Sequence, residues 1–435
     1  MSPAITGIAG IIVFLVVVFS GVPISFAMLF TGFWGLCFLR SPAAAFDIVA
    51  KDLFSNFSSY SLTVIPMFVF MGFIAFHSGI GRSLFNLSHK FVGHFRGGLA
   101  IASEAACALF GAVSGSSTAG VATIGTIAIP EMRKYNYDSS MATASIAAGA
   151  SLGSLIPPSV LFIVYGIATE QSIGKLFLAG ILPGILLMLL YMLTIVVLCK
   201  YNPSLAPAGQ KATRSEKIEA FRGGLIEVFL VFIISLGGLF LGWFTPTEAG
   251  AVGAVCLMVI TLLEKKMDWN KTMLALLDST KLSAMIFLLI AGATIFGRFF
   301  ALTRIPFDLG MWVTGMNISS FAVLMVVLLI YLILGCFIDA LALMLLTIPI
   351  FYPLVVTTLG YDPIWFGVIM LLVVNMGVIT PPIGLNVFVV KGVAPDVPLE
   401  TIFRGVWPFL IAIIVCILIL IIFPQIATVL PDMLM

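Results

Sequence analysis

Long apolar runs separated by short polar stretches make up most of this chain, among them Ile5–Ser20, Val22–Leu39, Leu225–Trp243, Ala249–Leu263 and Trp407–Phe423. A helix needs roughly 20 residues to cross about 30 Å of hydrocarbon, and these runs approach that length. A barrel strand would instead show about ten residues of alternating polarity. The runs here are continuous and rich in Leu, Ile, Val and Phe, so they predict spanning helices. The first run passes into a second without a small-residue cleavage site, which argues against a removable signal segment.

The punctuation between the runs occurs twice. Gly111 is followed by Gly335 and Pro157-Pro158 by Pro381-Pro382, both 224 positions later. Gly180 and Pro183 recur as Gly405 and Pro408 at an offset of 225, and Pro23 recurs as Pro246 at 223. Four ordered matches at nearly constant spacing indicate duplication. The first repeat is expected over 1–200: three spanning helices, a hairpin at about 97–132, a broken helix at about 139–168 and a last helix at 176–200. A polar cytoplasmic linker takes 201–222. The second repeat is expected over 223–435, with its hairpin at about 317–356 and its broken helix at about 363–394.

Charge then sets the topology. With both hairpins re-entrant and the N-terminus outside, sixteen of the 21 Lys and Arg fall on the cytoplasmic side. Only Arg40, Lys51, Lys175, Arg298 and Arg304 fall outside, as the positive-inside rule requires. If the hairpin segments spanned instead, the count would be fifteen against six, so charge fixes the orientation and hardly separates the layouts. Each half crosses five times in either case. An odd number inverts the second copy, and both termini are expected on the outer side, the periplasmic one if the membrane is a bacterial inner membrane. A small-residue, polar tip suits a chain that turns back inside protein, so the fold class expected is all-α integral membrane, with two inverted repeats, re-entrant hairpins and proline-broken helices.

Composition agrees: 61% of the 435 residues are hydrophobic, 9% are charged and the mean hydropathy is +1.21, which excludes a water-facing surface of ordinary charge density. A net charge of +2 gives no indication of nucleic-acid binding. The six Cys are isolated, with no metal or redox spacing. Gly149–Gly153 fits G-x-S-x-G, but the only histidines, His77, His89 and His94, surround one basic loop, and no strand–turn–helix context exists. Gly120–Gly125 lacks the Lys of a phosphate loop. An enzyme is not expected.

Candidate chemistry sits at the breaks. Ser114-Gly115-Ser116-Ser117-Thr118 is denser in hydroxyls than helix packing requires, and irregular backbone at membrane depth is tolerated where it lines a polar cavity or is buried in protein. Proline removes backbone donors and frees carbonyls on the preceding turn; Leu155, Ile156 and Thr380 would present such carbonyls, and Thr380 adds a hydroxyl. Hard oxygens of this kind suit Na⁺. Asp339 in the second hairpin tip is a costly intramembrane carboxylate, with Arg298 and Arg304 as its counterparts or as anion contacts, or Asp339 with an arginine as a structural pair. Glu104 and Glu227 are further candidates, but a position near the cytoplasmic interface is the expected reading of both.

At these residues the sequence resembles the large membrane subunit of TRAP (tripartite ATP-independent periplasmic) transporters, along essentially the whole chain. The most specific segments are ACALFGAVSGSSTAGVATIG, GASLGSLIPPS, GWFTPTEAGAVGA and NMGVITPPIGLNVFV. The resemblance implies an elevator-type subunit of the bacterial inner membrane with about ten to twelve helices. It also implies a small four-helix membrane subunit, a periplasmic substrate-binding protein and a Na⁺ gradient as driver. Carried onto this sequence, one Na⁺ site falls on Ser114, Gly115, Ser117, Leu155, Ile156 and Pro157. Its mate falls on Gly335, Asp339, Ala340, Ile379, Thr380 and Pro381. A small organic anion, a carboxylate such as sialic acid or a C4-dicarboxylate, would lie near Ser116, Ser117, Asp339 and Arg298 or Arg304. With no extra four-helix region in the chain, the small subunit is expected to be a separate polypeptide. The alternative is a stand-alone sodium–dicarboxylate carrier of related architecture.

Overall fold

The computed structural model describes residues 2–209, 211–222, 225–315 and 318–435, without the side chains of 221–228. The first half contains α1 (Pro3–Phe19), α2 (Ile24–Leu39), α3 (Pro42–Phe57), α4 (Val64–Ser78) and α5 (Ile80–Val92). The hairpin α6 (Gly98–Ser114) and α7 (Ser117–Lys134) follows, then the broken pair α8 (Ser139–Gly149) and α9 (Val160–Thr169), and α10 (Ile173–Tyr201). After α11 (Arg214–Arg222), the second half contains α12 (Leu225–Phe232), α13 (Gly238–Phe240), α14 (Pro246–Leu263), α15 (Trp269–Thr303) and α16 (Ile305–Gly315). Its hairpin is α17 (Ser320–Gly335) and α18 (Ala340–Tyr352), its broken pair α19 (Pro363–Gly377) and α20 (Leu385–Val393), and it closes with α21 (Leu399–Ile422) and α22 (Gln425–Leu434).

Many helix starts are written locally. Ser2-Pro3, Ser41-Pro42, Thr245-Pro246 and Asp362-Pro363 each place a capping side chain before a proline in the first turn. The cap satisfies a free N–H, and proline sits where none is needed. Thr245 and Glu248 complete a reciprocal capping box.

Among the described residues, six helical stretches are long and apolar enough to cross a membrane, the longest being Trp269–Thr303. Hydropathy does not announce α3 and α5, which carry Asp47, Lys51 and Asp52, and Arg82, His89 and Lys90. Their counterparts in element order are the first part of α15 and α16. The expected start of the second hairpin, Asn317, lies outside the described residues; α17 begins at Ser320. The linker is ordered into a turn at Pro203–Leu205 and α11. It is joined to the loops that precede α6 and α8 by Gly97 N–H to the Ala206 carbonyl (3.3 Å), Gly209 N–H to the Gly93 carbonyl (3.1 Å) and Asp138 N–H to the Leu205 carbonyl (2.9 Å). Lys90 bonds Glu216 at 2.9 Å. That ammonium, with Thr213, holds the Glu216 carboxyl down to about 2.

Two groups of helices result. In one, α15 packs along α2 and α4, and α14 lies on α4. Small residues bring backbones together there: a Cβ on Gly32 would lie 2.9 Å from the Ile295 carbonyl carbon, and one on Gly292 would lie 2.6 Å from the Ser25 oxygen. The other group holds the hairpins and broken helices, with α10 and α21 against them.

Candidate functional site

Each broken helix stops at a pair of prolines whose connecting peptide is cis, Pro157-Pro158 and Pro381-Pro382. Hydrogen bonds then close each gap. The Ser159 hydroxyl donates to the Ser154 carbonyl across the first. The Asn386 N–H donates to the Val378 carbonyl across the second, at 2.9 Å. Ser159 also caps the helix that resumes, accepting from Phe162 N–H at 3.4 Å.

A hairpin tip meets each break. At the first, Gly115 takes a left-handed conformation (φ 62°), and a Cβ there would lie 2.6 Å from the Pro158 carbonyl oxygen. Both features require glycine. Ser116 caps α7 through Ala119 N–H (3.3 Å), and its hydroxyl lies 3.1 Å from that of Thr118. At the second tip, Asp339 caps α18 through Leu341 N–H at 3.0 Å.

Below each tip the hairpin crosses its broken helix at a glycine pair, Gly111 on Gly153 and Gly335 on Gly377. Both members of the second pair lie 224 positions after those of the first. The crossing geometry itself is thus duplicated.

The surroundings of the two tips differ. The first break is buried apart from half-buried Ile156, whereas Pro382 and Ile383 of the second are exposed. A cavity of about 420 Å³ is lined by Ser114, Ser116 and Thr118 from the first tip, with Gly72, Phe73 and Val160 among its other walls. The Ser114 hydroxyl is buried there without a hydrogen-bond partner.

Several expected residues meet at the first site: Ser114, Gly115, Ser116 and Ser117 form the tip. Leu155 and Ile156 turn elsewhere. The Leu155 carbonyl faces Gly180, and the Ile156 side chain packs on Gly184, both on α10. The carbonyl that faces the tip is that of Pro158. Proline chemistry does not single it out, because a missing donor frees carbonyls on the preceding turn and not on the proline itself. At the second site Gly335 and Ala340 bracket the tip. Ile379 is buried and Pro381 half-buried. The Thr380 hydroxyl donates to the Met376 carbonyl at 2.6 Å.

The arginines are not at Asp339. Arg298 makes a two-pronged ion pair with Asp52 on α3, both contacts 2.9 Å. Arg304 ends α15 in a left-handed conformation and lies over the Phe307 ring at 5.2 Å. Asp339 itself is exposed at its tip, with no ion-pair partner among the described residues. Helical position alone could not reveal Asp52, 246 residues away, as the competing partner. Because the Arg298 side chain is 54% exposed, the pair is worth no more than about 1 kcal/mol. Arg298→Ala and Asp52→Ala are expected to lower the melting temperature slightly and equally, with no further loss in the double variant. Additive losses in that melting cycle would show that the residues act separately.

Glu104 lies inside the helix bundle. It is fully buried, neither carboxylate oxygen has a partner, and it is seated against Gly149 of α8. The Glu227 side chain lies outside the described residues. Asn375 and Asn386, also missed, are buried polar groups beside the second break; their signal was an amide inside an otherwise apolar run.

Residues 11–426 match the family described as tripartite ATP-independent periplasmic transporter, DctM component. The chain belongs to this family. The DctM-family chain is similar to the C4-dicarboxylate TRAP transporter large permease protein DctM of Pseudomonas aeruginosa, with 38% identity over 395 residues that cover 91% of each chain. It is also similar to the sialic acid TRAP transporter large permease protein SiaM of Vibrio cholerae, 32% identical over 416 residues that cover 95% of this chain and 96% of that one. Its fold is similar to the crystal structure of the Alcanivorax borkumensis YdaH transporter, with a TM-score of 0.59 at 15% identity, covering 89% of this chain and 90% of that one. The DctM-family chain is therefore a multi-pass transporter permease, not an enzyme.

Proposed function

We propose that this permease imports a small organic anion across the bacterial inner membrane, coupled to Na⁺ and supplied by a periplasmic substrate-binding protein. A small membrane subunit completes the assembly, and both termini of this chain face the periplasm. The observation that carries this reading is the duplicated junction of hairpin tip, glycine crossing and proline break. It supplies irregular backbone, hydroxyls and one carboxylate at the meeting point of the two halves.

Na⁺ is drawn to hard oxygens, here the Ser114 and Ser116 hydroxyls and the Pro158 carbonyl at the first junction, and Asp339 with the Thr380 backbone at the second. The helix starts at Ser117 and Val160 direct free N–H groups and positive dipole ends at the same region, which suits a carboxylate. With Arg298 held by Asp52, bound cations and these helix ends offset the anion's charge. The two inverted halves then move their hairpins and broken helices as one body against the α2–α4–α15 group, in an elevator motion. Coupling requires only that Na⁺ bind the loaded state better than the empty one.

The names of the relatives, C4-dicarboxylate and sialic acid permeases, support a carboxylate as cargo. Uptake into liposomes containing this chain and its small subunit should need both an inward Na⁺ gradient and the loaded binding protein. The double variant Ser116→Ala/Ser117→Ala should weaken the Na⁺ dependence, and Asp339→Asn should reduce uptake about tenfold or more without loss of membrane insertion. Uptake by this chain alone would replace the reading with a stand-alone sodium–dicarboxylate carrier. Unchanged uptake in Asp339→Asn would remove that residue from the site.

A further inference from the structure

Two buried side-chain hydrogen bonds tie the second broken helix to the first. The Ser154 hydroxyl, in the turn before the first break, lies 2.6 Å from Asn375 Oδ1 on α19. Asn386 Nδ2, on α20 beyond the second break, donates to the Ala147 carbonyl on α8 at 3.1 Å. Asn375 and Asn386 are 1% and 0% exposed, so neither bond competes with water.

One residue of each bond also closes a break. Ser154 offers its carbonyl to Ser159 across the first gap while its hydroxyl lies between the Ser151 carbonyl (2.8 Å) and Asn375 Oδ1. Asn386 gives its main-chain N–H to Val378 across the second gap while its amide reaches Ala147. Asn375 is followed by Met376, which accepts the Thr380 hydroxyl, and then by Gly377, which touches Gly335 below the tip. Each break is thus bonded, through a buried side chain, to the broken helix that carries the other.

The arrangement is one-sided. At the offset of 224, the mates of Asn375 and Asn386 are Ser151 and Phe162. Ser151 bonds Ala148 and Tyr191 within the first half, and Phe162 packs on Gly180. Duplication alone does not account for the two amides. Each also leaves one polar atom unpaired, Asn375 Nδ2 and Asn386 Oδ1, so they are not explained as fully satisfied core packing.

We infer that Asn375 and Asn386 are positioning residues that couple the two proline breaks, so that a change at one tip-and-break junction is transmitted to the other. The ligand side of this inference rests on the proposed Na⁺ sites; the mechanical side does not. Both sides can be read in the purified full-length chain. In the first readout, a Thr380→Cys reporter at the second break is reacted with a thiol reagent, and modification of that peptide is followed by mass spectrometry. Ser154→Ala, which deletes one buried oxygen at the first break, should change the rate at position 380 about tenfold. Asn375→Leu should do the same, and the two together should do no more than either. In the second, Na⁺ alone is titrated while thermal unfolding is followed. Ser154→Ala should raise the half-saturating Na⁺ concentration about tenfold and flatten the curve. A native chain indifferent to Na⁺ would overturn the sodium reading and leave the position-380 rates to decide the coupling. Unchanged rates at position 380 in Ser154→Ala, or fully additive effects in the double variant, would overturn the coupling itself. Should Asn375→Leu fail to fold, the Ser154→Ala rate alone decides whether the breaks are coupled.

Discussion

Gly111→Ala and Gly377→Ala are expected to abolish transport, whereas Gly335→Ala should be tolerated. A Cβ on Gly111 would overlap the Gly153 Cα and lie 2.9 Å from the Gly153 nitrogen. One on Gly377 would lie 2.7 Å from both the Cα and the carbonyl carbon of Gly335. All of these neighbours are backbone, so no rotamer change relieves the overlap, and the hairpin must lift from its broken helix. Overpacking of this kind costs about 1–3 kcal/mol or more, against a gain of roughly 1 kcal/mol from alanine's better helix propensity. The lift also moves the tip away from the Pro158 carbonyl, so the loss in uptake should exceed the loss in stability. Gly335 differs: its Cβ would meet Gly377 Cα at 3.3 Å and the movable Leu343 side chain at 3.5 Å, a contact that tenths of an ångström accommodate. Melting curves of the solubilised protein and uptake in liposomes check the series. Equal behaviour of Gly111→Ala and Gly335→Ala would show that the crossing is looser than its backbone contacts imply.

Glu104→Met should raise stability by about 1–3 kcal/mol, because it removes a fully buried carboxyl whose two oxygens have no partner. Methionine has a similar length and fills irregular apolar space. The second repeat supports an apolar residue at this place: 224 positions later stands Leu328, 4% exposed. A chain that keeps a costly acid where its own duplicate has leucine keeps it for a reason other than packing. Uptake is therefore expected to fall although the melting temperature rises, the trade-off of a site under functional constraint. A melting temperature unchanged or lowered in Glu104→Met would mean that the carboxyl gains from a partner in the working protein. Full uptake in the stabilised variant would leave Glu104 without a role.

Helix starts such as Ser41-Pro42 and Asp362-Pro363 carry a local signature, because a cap acts within one turn. The two Pro-Pro steps announce interruptions for the same reason: proline removes the donor wherever it stands. The polar tip of the first hairpin is legible too, since five small or hydroxyl residues cannot be mistaken for lipid-facing helix. The partners of these residues are another matter. An intramembrane Asp339 points to an arginine, and Arg298 is a candidate only until Asp52 on α3 takes its Nε and one terminal nitrogen in a two-pronged pair. Nothing in the apolar run around Glu104 shows that it faces the Gly149 backbone of α8.

The sequence by itself determined that this protein lives in a membrane, that its two halves share one plan, and where each helix is interrupted. Those properties follow from hydropathy, spacing and the covalent limits of proline and glycine, each of which acts over a few residues. Only the tertiary structure decided which carbonyl faces the first tip, which glycines touch, which acid is left unpaired, and that Asn375 and Asn386 join the two breaks. Such pairings depend on where helices cross, and the crossings bring together residues more than 200 positions apart, such as Ser154 and Asn375. Close packing fixes them, and no local pattern encodes them.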